Sequence, residues 1–161
     1  MYQWIVLLHV LGAFIFVAAH GVSMVAAFQL RGATDRSRQT TLLDASGAGV
    51  GAMYIGLLVL LAGGVWAGFA GDHWGRGWIW AALGTLVLVI VVMYAVATPF
   101  YGRMRAAAGI GQWAERADRY KPPATEADLA RLATSTVPFV LAVVGGAGLV
   151  VLVSLMIVKP F

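Results

Sequence analysis

Four uninterrupted apolar stretches, at approximately 3–28, 47–70, 77–100 and 137–158, constrain this chain more than any other feature. Each is long enough to cross a hydrocarbon core, which takes about 20 helical residues at a rise of about 1.5 Å. Backbone polar groups inside lipid must be satisfied within their own segment, so stretches of this length are expected to be helices. Hydrophobic residues make up 61% of the 161 and charged ones 11%, roughly half the charge of an ordinary soluble domain. The expected fold is all-α: an integral membrane four-helix bundle, up-down-up-down, forming one transmembrane domain over 1–161. The first stretch has no basic flank and exceeds a signal-peptide core in length, so it is read as a retained helix.

Charge predicts the orientation, because Lys and Arg in short loops stay preferentially in the cytoplasm. Arg31, Arg36 and Arg38 lie between the first two stretches, and Arg103, Arg105, Arg116, Arg119, Lys121 and Arg131 between the last two. The opposite side holds only Arg76 and Lys159. Both termini are therefore expected outside, with 101–136 as a cytoplasmic loop. Trp4, Trp66, Trp74, Trp78 and Trp80 fall at the predicted outer level, where an indole buries its ring and keeps its N–H solvated, while Trp113 falls inside. The net charge of +4 is what this topology demands and needs no nucleic-acid partner. The expected partners are the lipid bilayer and either other membrane subunits or further copies of the chain.

The long loop carries its own signals. "GRMRAAAGIGQWAERADRY" either extends the third helix or lies along the interface, and "KPP" at 121–123 should interrupt it. Thr125 with Asp128 three residues on resembles a capping signal before the short helix "EADLARLAT", and Pro138 suits the first turn of the last span. Gly64 with Gly68, and Ala142 with Gly146, are small-xxx-small pairs expected to let helices approach closely.

Candidate chemistry centres on two histidines in the first span, since ionisable residues at membrane depth are costly and mark function by default. The chain has no cysteine, which removes disulfide, thiolate and iron–sulfur chemistry. No acidic residue lies within a predicted span, which argues against paired-carboxylate catalysis. His9 and His20 are three turns apart, so they share a face but lie about 16 Å apart along the axis and cannot hold one metal ion together. His20 should lie level with Met53 and Tyr54 on the second span and Met93 and Tyr94 on the third. His and Met are both axial ligands of haem iron, and a Tyr hydroxyl can support a propionate or the second imidazole nitrogen. Haem b held by His20 opposite Met53 or Met93 is one reading. A second site at His9 would need His73 folded in from the outer loop. The packing alternative is that each histidine bonds a Ser, Thr or backbone carbonyl across the bundle.

Leu8-His9 near the outer end, Phe16 seven positions later and Ala19 beyond it resemble the first helix of a group of small bacterial membrane proteins. That group includes the HemJ-type protoporphyrinogen oxidases and the CopD-like copper-resistance proteins. Its members typically have Trp and Gly where this chain has Phe16 and Ala19. The resemblance implies a bacterial inner membrane and gives His9 the position associated with haem or metal chemistry. It does not extend to the intramembrane lysine of the HemJ type, since the only lysines here are Lys121 and Lys159. Two functions follow as expectations: a small membrane redox protein binding b-type haem, or a non-catalytic subunit packing in a larger respiratory, photosynthetic or transport assembly.

Overall fold

A computed structural model describes residues 1–110 and 125–161, all helix and connection with no strand among them. The helices are α1 (Tyr2–Leu30), α2 (Arg36–Ala48), α3 (Val50–Ala70), α4 (Gly77–Ala108), α5 (Glu126–Ala133) and α6 (Val137–Val158). Four helical stretches are long and apolar enough to cross a membrane: Tyr2–Leu30, Arg36–Ala70, Gly77–Ala108 and Leu129–Val158. The expected all-α, four-span character is present.

The sequence reading and the structure differ at the start of the second span. Residues 29–46 are expected to connect the first two spans, yet α2 occupies most of them. The polar run "RSRQTTLLD" hides this helix from a hydropathy reading, but its start is well marked. The Asp35 carboxylate accepts from the Arg38 N–H at 2.8 Å, an N-cap that satisfies an otherwise orphaned donor. The chain passes from α2 to α3 at Gly49, and Gly49 O accepts from Met53 N–H at 3.0 Å, so the two helices nearly continue each other. At the other extended end, α4 runs through Pro99 and stops at Gly109, whose φ of 72° is the left-handed conformation that ends many helices. Helix α5 follows Thr125 as the capping signal suggested. The "KPP" break, Trp113 and Lys121 lie outside the described residues.

Helices α1 and α3 pack antiparallel, backbone against backbone. Buried Ile5, Gly12, Ala19 and Ala26 recur every seven residues on α1, and Gly49, Gly56 and Gly63 recur likewise along the facing chain. A seven-residue repeat keeps a seam on one side of a helix for several turns. The approach is close enough that a Cβ on Gly56 would lie 2.6 Å from Phe16 N, and one on Gly63 2.9 Å from His9 N. A Cβ on Gly12 would lie 2.9 Å from Leu60 Cα.

A second antiparallel pair forms from α4 and α6. Gly148 faces the Val89 side chain, Gly145 faces Met93, and Trp78 N–H donates to Phe161 O at 3.2 Å. The expected compact bundle is thus two tight pairs with a thinner junction, because α1 meets α6 over a short length only. The pairs are joined chiefly at the arginine-bearing end, where Leu30, Leu43, Phe100, Met104, Leu129 and Ala133 form a buried cluster. Arg31 secures that end by donating to the Thr134 carbonyl at 3.1 Å and to the Ser135 carbonyl, with its guanidinium over the Phe139 ring. At the tryptophan-bearing end Tyr2 meets His73, and Phe161 lies against Gly77 and Trp78.

The small-residue pairs singled out from sequence do different work. Gly64 makes room for the His9 ring and Gly68 for the Trp74 ring, while Gly146 has nothing within 4 Å. Spacing alone could not separate them from Gly12, Gly56 and Gly63, because Gly is abundant throughout the chain. Gly12→Ala and Gly56→Ala are each expected to destabilise the protein by about 1–3 kcal/mol through overpacking. Gly146→Ala should stay within about 0.5 kcal/mol of the parent. Unfolding in mixed micelles, monitored by helical circular dichroism, measures all three.

Candidate functional site

His9 sits where α1 presses on the glycine-bearing face of α3. Its Nδ1–H donates to the Leu60 carbonyl at 2.7 Å, and the ring fills the space left by Gly64, where a Cβ would lie 2.9 Å from Nδ1. This bond assigns the proton of the neutral ring to Nδ1 and leaves the Nε2 lone pair free. The arrangement matches the packing alternative, a histidine satisfied by a backbone carbonyl across a helix pair. His73 does not join it. Its Nε2 is hydrogen-bonded to the Tyr2 hydroxyl at 3.2 Å, and its ring packs on Trp78 with centroids 5.5 Å apart.

His20 lies three turns further along α1, half-buried, with its ring stacked on Phe16 at 6.0 Å and an interplanar angle of 10°. Phe16 is itself held by the close approach of Gly56, so the α1/α3 seam also fixes the face on which His20 is presented. Across the junction between the pairs, Gly145 leaves a notch. A Cβ there would lie 3.8 Å from His20 Nε2 and 3.5 Å from the Met93 methyl carbon, so both side chains border the same gap. Among the described residues no protein group hydrogen-bonds to the His20 ring. That sets it apart from His9 and His73.

From His20 a cleft of about 30 Å³ runs toward the arginine end, lined by Ser23, Met24, Ala97, Tyr101, Pro138 and Leu141. Its lining is almost wholly apolar, and two of its lining residues carry hydroxyls. Tyr101 donates to the Ser23 carbonyl at 2.7 Å, and the Ser23 hydroxyl donates to the Ser46 carbonyl at 3.3 Å. Both protons are thereby engaged.

The candidates matched by depth separate once rotation about the helix axes is known. Met93 faces the gap beside His20. Met53 is half-buried and falls between Gly49 and Gly56 on the α1-facing side of α3, outside the cleft lining. Tyr54 and Tyr94 are 55% and 65% exposed and point away from the helix pairs. Counting residues inward gives a level but no azimuth, which explains this outcome. Sequence reasoning passed over Met24, one turn from His20 on the same face, and Tyr101, which falls just past the expected end of its span. The i, i+4 spacing of His20 and Met24 was the available signal.

No group of three or more His, Asp or Glu side chains among the described residues is placed to hold a metal ion. No protein-family model, curated protein or solved structure matches the chain.

His9→Ala should cost about 0.6–1.7 kcal/mol for the lost interhelical bond, plus a cavity penalty beside Gly63 and Gly64. The same unfolding measurement detects it. A larger loss in His20→Ala than in His9→Ala would contradict the assignment of His9, not His20, to packing.

Proposed function

We propose that the chain is a multi-pass protein of a bacterial cytoplasmic membrane, up-down-up-down with both termini outside, and that it serves membrane redox chemistry. In this reading His20 would hold a b-type haem through its imidazole. The orientation is supported by Arg31, Arg36, Arg38, Arg103, Arg105 and Arg131, which share one end against Arg76 and Lys159 at the other. The observation that carries the haem reading is the unpartnered His20 ring with Met93 on the same Gly145 notch.

The donor chemistry fits, since imidazole and thioether are among the ligands that haem iron accepts from a protein. When bound, such a group supplies one-electron transfer. The chain's own residues provide the setting: Phe16 orients the imidazole, Gly145 keeps the space in front of Nε2 clear, and the rigid α1/α3 seam sets the position of both. The cleft of about 30 Å³ is far smaller than a macrocycle. Binding therefore requires the two helix pairs to part at this level, where α1 and α6 hold each other over only a short length. The resemblance of the first helix assigns the family position to His9, whereas the free donor favours His20.

One observation supports the second reading, a non-catalytic subunit of a larger assembly. Gly51, Gly84 and Gly146 lie in the spans with nothing within 4 Å of the Cβ each lacks. Glycine in a membrane helix is most useful where another backbone comes close. Bare glycines on outward faces suit close packing against other subunits or further copies.

Absorption spectra of the purified protein, oxidised and dithionite-reduced, test the first reading. A Soret band is expected, absent in His20→Ala and retained in His9→Ala. Colourless protein from haem-replete cells overturns the haem reading. Native co-purification tests the second, and a stable monomer without a stoichiometric partner in mild detergent overturns it.

A further inference from the structure

Helix α4 changes partners along its length. Up to Met93 it packs on α6, with Val89 against Gly148 and Met93 against Gly145. From Phe100 onward it belongs to the arginine end: Phe100, Met104 and Ala108 enter the buried cluster with Leu30, Leu43 and Leu129, and Arg105 reaches the Leu43 carbonyl and Asp44. Between the two stretches stands Pro99, inside the helix. Proline has no N–H to give the Ala95 carbonyl, and its ring crowds that carbonyl, which is why sharp bends in long helices gather at proline.

The second member of the pair is interrupted at the same level. Helix α5 ends at Ala133 within the buried cluster and α6 starts at Val137. Among the described residues no backbone hydrogen bond joins these two helices. Pro138, in the first turn of α6, lines one cleft with Ala97 and Tyr101, which flank Pro99 on α4. Both interruptions therefore lie where the pair leaves the arginine end. Helix α1 has no counterpart, since it runs unbroken from Tyr2 to Leu30. It also pins the α6 interruption: Arg31 donates to the Thr134 and Ser135 carbonyls, and Phe28 meets the Phe139 ring at 5.0 Å. The backbone of α4 runs alongside neither α1 nor α3, and α6 meets α1 over a short length only. At the tryptophan end the pair joins the α1/α3 seam through the turn 71–76 and the Tyr2–His73 hydrogen bond.

We propose that Pro99 and residues 134–136 form a paired hinge, about which residues 77–98 and 137–158 swing as one arm against a frame of α1, α3 and the arginine end. Short breaks that absorb backbone rotation between packed bodies are how hinged motion is built. The Arg31 and Phe28 contacts fix the pivot, and the Gly145 and Gly148 contacts keep α4 and α6 together as they move. The gap that widens is the one between His20 on the frame and Met93 on the arm. This motion supplies the parting that the haem reading requires, and it holds equally for a protein that binds no haem.

Distances between spin labels, measured by pulsed electron paramagnetic resonance on the full chain in lipid nanodiscs, test it. The chain has no cysteine, so introduced pairs at exposed positions carry the labels. Ile55→Cys with Val91→Cys spans frame and arm, and Val87→Cys with Val150→Cys lies within the arm. Thr41→Cys with Ala130→Cys lies within the arginine end. A broad or two-peaked distribution is expected for the first pair, and a single narrow one for each of the others. Pro99→Ala restores the missing N–H and should reduce the longer-distance population about 2- to 10-fold, the weight of one backbone hydrogen bond. Pro99→Leu, a second helix-forming replacement, carries the same expectation. A first pair as narrow as the other two overturns the proposal, and breadth in the arm pair as well overturns movement as one body. An unchanged first distribution in both Pro99 variants, with the other two distances native, overturns the assignment of the hinge to Pro99. Haem plays no part in these distances, so a colourless protein whose first pair stays broad overturns the haem reading and leaves the hinge standing.

Discussion

Helix α1 lies against α3 at backbone distance, and most of what distinguishes this molecule depends on that approach. Lipid is as apolar as a leucine side chain, so burial supplies no drive for helices to associate. Close van der Waals contact and interhelical hydrogen bonds must supply it. Gly12, Gly56 and Gly63 permit the contact by having no Cβ to obstruct it. The His9–Leu60 bond, made across the same seam, is the polar counterpart of that packing. Once α1 is fixed in rotation and register, Phe16 and His20 have their places. His20 is then carried on the less constrained side of α1, toward the junction with the second pair.

The contrast between His9 and His20 follows from where each stands relative to that seam. His9 is enclosed by α3, with its ring filling a notch and its Nδ1 proton bonded. His20 faces the junction between pairs, where α4 and α6 offer a gap, a thioether and a small residue, and no described residue hydrogen-bonds to its ring. An imidazole left without a protein partner at membrane depth costs free energy unless water or a ligand completes it. The two histidines, of one residue type on one helix face, are thus separated into a packing group and a free donor by their neighbours alone.

The sequence exposes one layer of this organisation and conceals another. Span number, the all-helical class and the clustering of arginines at one end and tryptophans at the other were legible, since each depends on composition over 20 or so residues. Helix α2 was not, because its polar sequence resembles a connection and only the Asp35 cap announces it. Tyr54 and Tyr94 share the approximate depth of His20 but not its azimuth. A span that is apolar all round has no amphipathic stripe to reveal which face turns inward. The azimuth is set by glycines whose role depends on what lies opposite them: Gly56 meets a backbone, Gly64 a ring, and Gly146 nothing.

The weak junction between the helix pairs is consistent with a site at His20. A rigid seam positions the imidazole, while the boundary beside it is the more sparsely packed of the two. Were α1 packed on α6 as tightly as on α3, His20 would be enclosed as His9 is, with neither a gap in front of its ring nor a cleft beneath it. The buried cluster at the arginine end, together with the Arg31 bonds to Thr134 and Ser135, keeps the pairs from separating altogether. The pairs are thus held together at the arginine end and by the aromatic contacts of Tyr2, His73 and Trp78 at the other, which leaves the level of His20 as the less tightly held stretch between them. Stability is concentrated where the chain needs a fixed frame, and the least tightly packed contact lies beside the histidine whose hydrogen bonding the protein leaves incomplete.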